Sequence, residues 1–269
     1  MTGRSPSGPL ESGGFTIPYR YADEVEAPPL YPALLPFFAR AEPEFRARLA
    51  AAAAHLARLE EFTRDAPPAP RLDQDWFPRL DAVMAYALVR TLAPRRIVEI
   101  GSGHSTRFLA QAVRDGGFAC SITAIDPVPR AALAGLAITR IEMLVQDAGP
   151  APFAALAPGD ILFIDSSHIL MPGTDVDHLL NAVLSALPSG IHVHVHDIFL
   201  PDSYPEDWSW RGYNEQNAIA PLIATGALRM LWSSHYVATR LGDEIARTGL
   251  DRLPLLDGAR ESSLWLVKT

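Results

Sequence analysis

The sequence predicts an α/β fold: a doubly wound, mostly parallel sheet with an antiparallel late strand, preceded by an N-terminal helical cap. Three observations predict it. From Arg95 onward, short apolar runs that end in glycine or an acidic residue alternate with helical sequence, the pattern of strands buried on both faces and joined by crossover helices. The first run leads straight into Gly101-Ser-Gly103 and a helix start, the turn that lets backbone approach a ligand closely. After Asp197 the order changes and two late strands close the chain.

The elements follow in order. The proline- and aromatic-rich stretch to about Pro43 reads as irregular chain packed over another surface. Glu44 to Thr63, rich in alanine, leucine and arginine at helical spacing, reads as one helix that stops before the proline cluster Asp65–Pro70. That cluster divides residues 1–70, an irregular segment and helical cap, from the principal domain at 71–269. A second helix spans Pro78 to Leu92. Strands are expected at Arg96–Ile100, Ser121–Ile125, Ile141–Val145, Ile161–Ile164 and Ile191–His196, with helices at Ser105–Asp115, Pro129–Leu136 and Val176–Leu187. A helix near Asn214–Thr225 and strands near Leu228–Val237 and Ser263–Val267 complete the chain.

With 269 residues, 48% of them apolar, the chain can bury one large core. The formal charge is −8 and Lys268 is the only lysine, so there is no basic stripe for phosphates and nucleic acid is not an expected partner. Cys120 is the only cysteine, which rules out an internal disulfide or thiolate zinc cluster and fits a reducing, cytoplasmic setting. Met1–Leu10 lacks the apolar core of a signal peptide and no stretch is apolar enough to span a bilayer. No membrane partner is expected, and the N-terminal helices are expected to cover the site or form a homo-oligomer surface.

The first candidate site is Val98-Glu-Ile-Gly-Ser-Gly-His-Ser-Thr106. Gly101, Ser102 and Gly103 would carry backbone to the ligand, and the N–H groups of the following helix suit a carboxylate or a phosphate. Thr106 stands where a dinucleotide fingerprint would place its third glycine. Glu99 can accept from an ammonium group. Asp126, closing the second strand, is placed for ribose hydroxyls, and Asp147, after Leu144-Val-Gln, for an adenine amino group. Read as structure alone, the glycines make a tight turn and Asp126 a helix cap.

The second candidate site joins two later strand ends. Asp165 lies at the tip of the fourth strand with His168 three residues on, and His196 and Asp197 end the fifth. In a doubly wound sheet these tips open into one crevice. Asp165, His196 and Asp197 are suitable ligands for a divalent cation, and His168 is a suitable general base. His192, His194 and His196 alternate along one strand, but residues two apart lie roughly 6 to 7 Å from each other, so they cannot all share one ion; His192 and His194 are read as structural. His196 and Asp197 can share a site only where the strand ends, as Phe199-Leu-Pro201 suggests. Asp73–Arg79 and Pro201–Arg211 are candidate covers, with Tyr204, Trp208 and Trp210 as lid residues, and Asn214 is read as the cap of its helix.

From about Arg95 to the C-terminus, the glycine loop and the acidic ends of strands two and three resemble the Rossmann-like class I S-adenosylmethionine (SAM) dependent methyltransferases. Asp165 with His168, followed by an ion-binding pair at the next strand end, is similar to the metal-dependent O-methyltransferases of macrolide sugars and the related cephalosporin-hydroxylase-like group. That resemblance implies SAM as cofactor, a small-molecule hydroxyl acceptor, Asp165 beside both cofactor and cation, and His168 as the catalytic base. His196 departs from the acidic pair of that group, and an imidazole suits manganese or iron as well as magnesium. The rival functions are a nicotinamide-dependent oxidoreductase, which also carries an acidic residue after its second strand, and a non-catalytic cofactor-binding protein.

Overall fold

A computed structural model describes residues 20–21, 24–63 and 66–269; the leader-free reading of Met1–Leu10 falls outside them. Seven strands form one sheet in the order β3-β2-β1-β4-β5-β7-β6: β1 (Arg96–Ile100), β2 (Ser121–Ile125), β3 (Thr139–Ile141), β4 (Ile161–Ile164), β5 (His192–Val195), β6 (Leu228–Ser233) and β7 (Leu264–Lys268). Neighbouring strands from β3 to β5 pair in parallel, whereas β7 is antiparallel to both β5 and β6. The helices are α1 (Leu35–Ala53), α2 (Leu56–Leu59), α3 (Arg79–Leu92), α4 (His104–Gly116), α5 (Ala151–Ala154), α6 (Asp175–Asp177), α7 (Glu215–Ala224), α8 (Ser234–Arg240) and α9 (Gly242–Thr248). No helix among the described residues is long and apolar enough to cross a membrane.

The central strands are buried on both faces, which is why Ile161-Leu-Phe-Ile164 needs no alternation. α3 follows Pro78 and ends at Ala93 in the left-handed region, ahead of Pro94. The expected cap packs into the same core as the sheet: Phe45 of α1 meets the edge of Trp232 on β6 at 6.1 Å, and Phe38 lies 5.3 Å from Tyr236 of α8. Tyr86 of α3 donates to Asp115 at 2.8 Å, and Arg58 reaches the same carboxylate.

Several expectations change. The irregular N-terminal stretch is helical from Leu35, because Pro32 and Pro36 occupy the first turns, where a missing N–H costs nothing. The single helix over Glu44–Thr63 is interrupted after Ala53 and resumes as α2. The third strand is Thr139–Ile141 rather than Ile141–Val145, an edge strand held only by β2, and a 3-10 turn occupies Val145–Asp147. Pro129–Leu136 forms no helix: Gly135, inside the expected span, takes left-handed backbone at φ +87°, and the Arg130 N–H donates to the Ser102 carbonyl at 3.1 Å. The helix after Thr174 passes into π-helical turns over His178–Leu184. β6 stops at Ser233, whose hydroxyl accepts from the Tyr236 N–H and caps α8 where strand was expected.

Phe45 is fully buried between β6 and α8. Phe45→Ala is therefore expected to lower unfolding free energy by about 3–5 kcal/mol, read by urea denaturation. A loss below about 1 kcal/mol would mean that α1 lies on the sheet without sharing its core.

Candidate active site at the sheet switch point

Strand order reverses between β1 and β4, and the crevice opens there. Two backbone hydrogen bonds fix its floor: Gly101 N–H to the Ile125 carbonyl at 3.1 Å and Asp165 N–H to the Ile100 carbonyl at 2.9 Å. Gly101 has φ +74°, and a Cβ there would lie 2.0 Å from the Asp165 carbonyl oxygen. Its glycine character is demanded by the chain's own backbone. At Gly103 the nearest atom to an added Cβ is 3.6 Å away, an ordinary van der Waals contact, so the chain's own packing does not demand glycine there. Thr106, in the place of a third glycine, turns its hydroxyl back to accept from the Gly103 N–H at 2.9 Å.

Glu99 lies beneath the loop, fully buried, accepting from Ser105 Oγ at 2.7 Å; its Oε2 has no partner. Burial raises its carboxyl to about 8, against the lowering effect of the Ser105 and Thr106 hydroxyls. Asp126 accepts from the Ser102 N–H at 2.6 Å, from the Ser102 hydroxyl at 3.0 Å and from the Val128 N–H at 2.8 Å. It already ties the glycine loop to the end of β2, and of its four lone-pair positions one stays open. Asp147 is exposed and borders neither cavity of the crevice, where Gln146 stands instead.

Those cavities, of about 310 and 620 Å³, share Gly101, Asp126, Arg130, Asp165 and Ser166. The larger runs along the ends of β2 and β3, past Val128, Leu144 and Gln146. The smaller holds His168, His196 and Asp197. The two are therefore one elongated crevice with Asp165 at its waist.

At the waist the predicted polar residues do meet. His168 Nε2 lies 3.4 Å from Asp165 Oδ1 and 3.4 Å from Asp197 Oδ2, and its Nδ1 is 2.9 Å from Glu215 Oε2. His196 Nδ1 lies 3.5 Å from Asp165 Oδ1 and 3.5 Å from Asp197 Oδ1, while its Nε2 is 3.2 Å from Asp81 Oδ2. Burial disfavours the charge on each imidazole. The neighbouring carboxylates outweigh it: hydrogen bonds donated to Asp165 and Glu215 raise His168, and the charges of Asp197 and Asp165 raise His196, each well above the ordinary histidine value. In return, Asp165 is held below the usual carboxylate range, although burial pushes the other way, by the His196 charge and the bond to His168. His168 and Asp197 both adopt left-handed backbone, φ +62° and +53°, at a cost of order 1–3 kcal/mol each. Among the described residues no three His, Cys, Asp or Glu side chains are already gathered around a point as a metal cage.

Two members of this cluster escaped the sequence reading. Asp81, fully buried on α3, accepts from the Ser262 and Ser263 N–H groups at 2.9–3.1 Å and so pins the start of β7 beside His196. Glu215 comes from Tyr213-Asn-Glu-Gln216, which reads as a helix start. Asn214 makes no side-chain cap; its Oδ1 accepts from the Leu170 N–H at 2.6 Å, and the first N–H groups of the helix go to the His168 carbonyl. For Asp81 the available signal was a charged residue in the otherwise apolar helix Leu80–Val89; Glu215, among Asn214, Gln216 and Asn217, carried none. His194 is structural as expected: it stacks on Phe163 at 3.6 Å, bonds Ser263 Oγ, and burial drives its basicity well down.

Both expected covers border the smaller cavity, through Asp75–Phe77 and through Trp208 and Arg211. Tyr204 and Trp210 do not line it: Tyr204 accepts from the Gln216 N–H, and Trp210 is 78% exposed. A third wall, Asp257–Arg260, was not foreseen, and Arg260 bonds both oxygens of Asp207 at 2.9 Å.

Comparison with known proteins gives one family match, over the strands that build the crevice. Residues 98–198 match the family described as "Methyltransferase domain". No curated sequence matches the chain. Similar solved structures include apo CmcI (15% identity, 80% of this chain and 84% of that one, TM-score 0.47). A putative caffeoyl-CoA O-methyltransferase from Staphylococcus aureus is also similar (12%, 81% and 99%, 0.47). So is the methyltransferase PaMTH1 of Podospora anserina with S-adenosylhomocysteine bound (18%, 81% and 88%, 0.40).

The two loop glycines are expected to separate in stability measurements. Gly101→Ala forces a methyl onto the Asp165 carbonyl and is expected to cost more than about 3 kcal/mol. Gly103→Ala, whose added methyl would make only ordinary van der Waals contacts, stays within about 1 kcal/mol of the wild type. Equal midpoints for the two variants in thermal unfolding would contradict this reading of the loop.

Proposed function

Starting from residues 98–198 as a methyltransferase domain, we propose that this SAM-dependent enzyme transfers the methyl group to a hydroxyl oxygen of a small metabolite. The observation that carries the reading is His168, held among Asp165, Asp197 and Glu215 at the waist of the crevice, one glycine loop away from the cofactor floor.

The residues present fit SAM. Gly103 and the start of α4 line one end of the crevice, and the unpartnered Glu99 Oε2 is buried beneath the same loop. They suit an amino-acid moiety, whose ammonium needs an acceptor and whose carboxylate needs N–H donors. Asp126 has one lone pair for a ribose hydroxyl, and the apolar Val128 and Leu144 flank the larger cavity where an adenine would lie. Gln146 takes the base-recognition role expected of Asp147. The cofactor supplies an electrophilic methyl on a sulfonium, a leaving group that becomes neutral S-adenosylhomocysteine.

The acceptor oxygen must lose its proton as the new O–C bond forms and the S–C bond breaks. Glu215 engages His168 at Nδ1, which directs Nε2 to the cavity between Asp165 and Asp197. That nitrogen is the proton acceptor once positive charge in the loaded crevice takes over the compensation of the two aspartates, because a neighbouring like charge disfavours the imidazolium. The donor chemistry also fits a divalent cation. Asp81 engages His196 at Nε2, leaving Nδ1 aimed at oxygens of Asp165 and Asp197, an arrangement in which a carboxylate orients a ligating histidine. Magnesium, manganese or iron held by Asp165, His196 Nδ1 and Asp197 would supply a Lewis acid that lowers the hydroxyl pKa.

Calorimetric titration is expected to give saturable binding of S-adenosylhomocysteine and none of NAD; the reverse would return the chain to the oxidoreductases. With an acceptor in hand, His168→Gln is expected to lower kcat by about 10²–10⁴-fold with S-adenosylhomocysteine affinity unchanged, and unaltered turnover would end the general-base role and leave a binding protein as the rival. Chelator treatment is expected to abolish turnover and added magnesium or manganese to restore it. Full activity after chelation, with no metal by elemental analysis, would remove the cation from the reading.

A further inference from the structure

Three guanidinium groups border the smaller cavity, and their surroundings differ. Arg260 is already paired with Asp207 across the mouth. Arg130 lies over Trp76 at 4.6 Å and borders both cavities, so it stands beside the cofactor's amino-acid end. Arg211 borders the smaller cavity alone.

Arg211 is built into an aromatic frame. Its guanidinium carbon lies 4.1 Å from the Trp208 ring centre, 5.1 Å from Trp210 and 5.4 Å from Tyr213, and Nη1 donates to the Tyr213 hydroxyl at 3.0 Å. Nε is buried and makes no hydrogen bond, and among the described residues no carboxylate lies within ion-pair distance of the group. The two other acids of this wall, Asp75 and Asp257, are exposed and make no ion pair with it. Stacking fixes the plane of a guanidinium and leaves its edge for a planar, two-oxygen anion. A buried, unbonded Nε is a deficit that such an anion would remove once the cover adjusts around it.

The Tyr213 ring spans the distance to the reacting groups. One side receives Arg211, and its ring centre lies 4.7 Å from that of His168. An anion on Arg211 and a hydroxyl at His168 would thus border the same Tyr213 ring.

We infer that the acceptor is a hydroxy acid: a carboxylate seated on Arg211, and the hydroxyl to be methylated beside the same Tyr213 ring at His168. The inference rests on the methyltransferase reading and names the acceptor class for that site. Trp76, Trp208 and Tyr213 give the intervening body of the acceptor an aromatic wall, and a planar, unsaturated spacer fills it with the least loss of rotational freedom.

The test is a matched pair of probes on the protein loaded with S-adenosylhomocysteine: 4-hydroxybenzoate and its methyl ester, with affinities read by calorimetry and saturation-transfer NMR. The acid is expected to bind at least about tenfold more tightly, the scale of one charge-assisted hydrogen bond. Arg211→Gln is expected to bring the ratio near one and Arg211→Lys to keep part of it, with S-adenosylhomocysteine affinity unchanged in both. Equal binding of acid and ester to the wild type, or binding of neither at millimolar concentration, would overturn the inference. So would a preference that survives Arg211→Gln and is lost in Arg130→Gln. Failure of the loading step, with no S-adenosylhomocysteine bound, is read separately and would instead sink the methyltransferase reading itself.

Discussion

The constraint on which the site depends is the compensation of buried carboxylates. Asp81, Glu99, Asp197 and Glu215 are all buried, and Asp165 keeps only a third of its side chain open. Unpaired, each would carry a desolvation cost of several kcal/mol. The chain meets that cost in three ways. Asp81 is bonded by two backbone N–H groups, Asp197 accepts from the Ser262 hydroxyl at 3.0 Å, and Glu99 is raised toward its neutral form. Asp165 instead depends on the imidazoles of His196 and His168 for counter-charge, whereas Glu215 is raised by burial although its bond to His168 works the other way. The crevice therefore holds its negative charge with groups that can give the compensation up, and that is the property a site for a cationic cofactor needs.

The same contacts assemble the fold around the crevice. Asp81 connects α3 to the start of β7 and to the tip of β5, and Glu261 adds a paired contact to Arg79 and the Leu80 N–H at the same helix end. An acidic side chain at a helix N-terminus is also favoured by the helix dipole. The antiparallel β7 is thus fixed beside the catalytic edge by polar contacts, while its apolar residues Leu264, Trp265 and Leu266 bury themselves in the sheet. Without that anchor, Asp257–Arg260 would have no reason to lie against the cavity.

What was legible in the sequence follows from the range of the interactions involved. β1, β2 and β4 were readable to the residue because each short run of buried apolar side chains stops at a glycine or an aspartate, Gly101, Asp126 and Asp165, and Asp165, His168, His196 and Asp197 were brought together because topology sends consecutive strand tips to one edge. The helix expected over Pro129–Leu136 failed at Gly135, whose backbone leaves the helical region at φ +87° while the chain is tied back to the glycine loop by the Arg130 N–H on the Ser102 carbonyl. Asp81 and Glu215 were hidden for the opposite reason. Each sits in locally ordinary helical sequence, and its importance lies in partners more than forty residues away. Asp147 was chosen by spacing, and the edge strand β3, ending early, turned Gln146 to the cavity in its place.

One short segment links enclosure to chemistry. Trp208 and Arg211 cover the cavity, Tyr213 packs on His168, Asn214 holds Leu170, and Glu215 orients His168. From Tyr213 onward the segment is locked, since the Asn214 and Glu215 N–H groups both donate to the His168 carbonyl. Movement of the cover to admit an acceptor must therefore be absorbed before that point. Gly212 stands there with φ +65°, in open surroundings except for Ile169 at 3.8 Å from an added Cβ. A residue that tolerates left-handed backbone without a side chain to displace is suited to take up the change in dihedrals. An opening of the cover at Gly212 would leave the Glu215 hold on His168 in place, so admission of an acceptor would not disturb the proposed base.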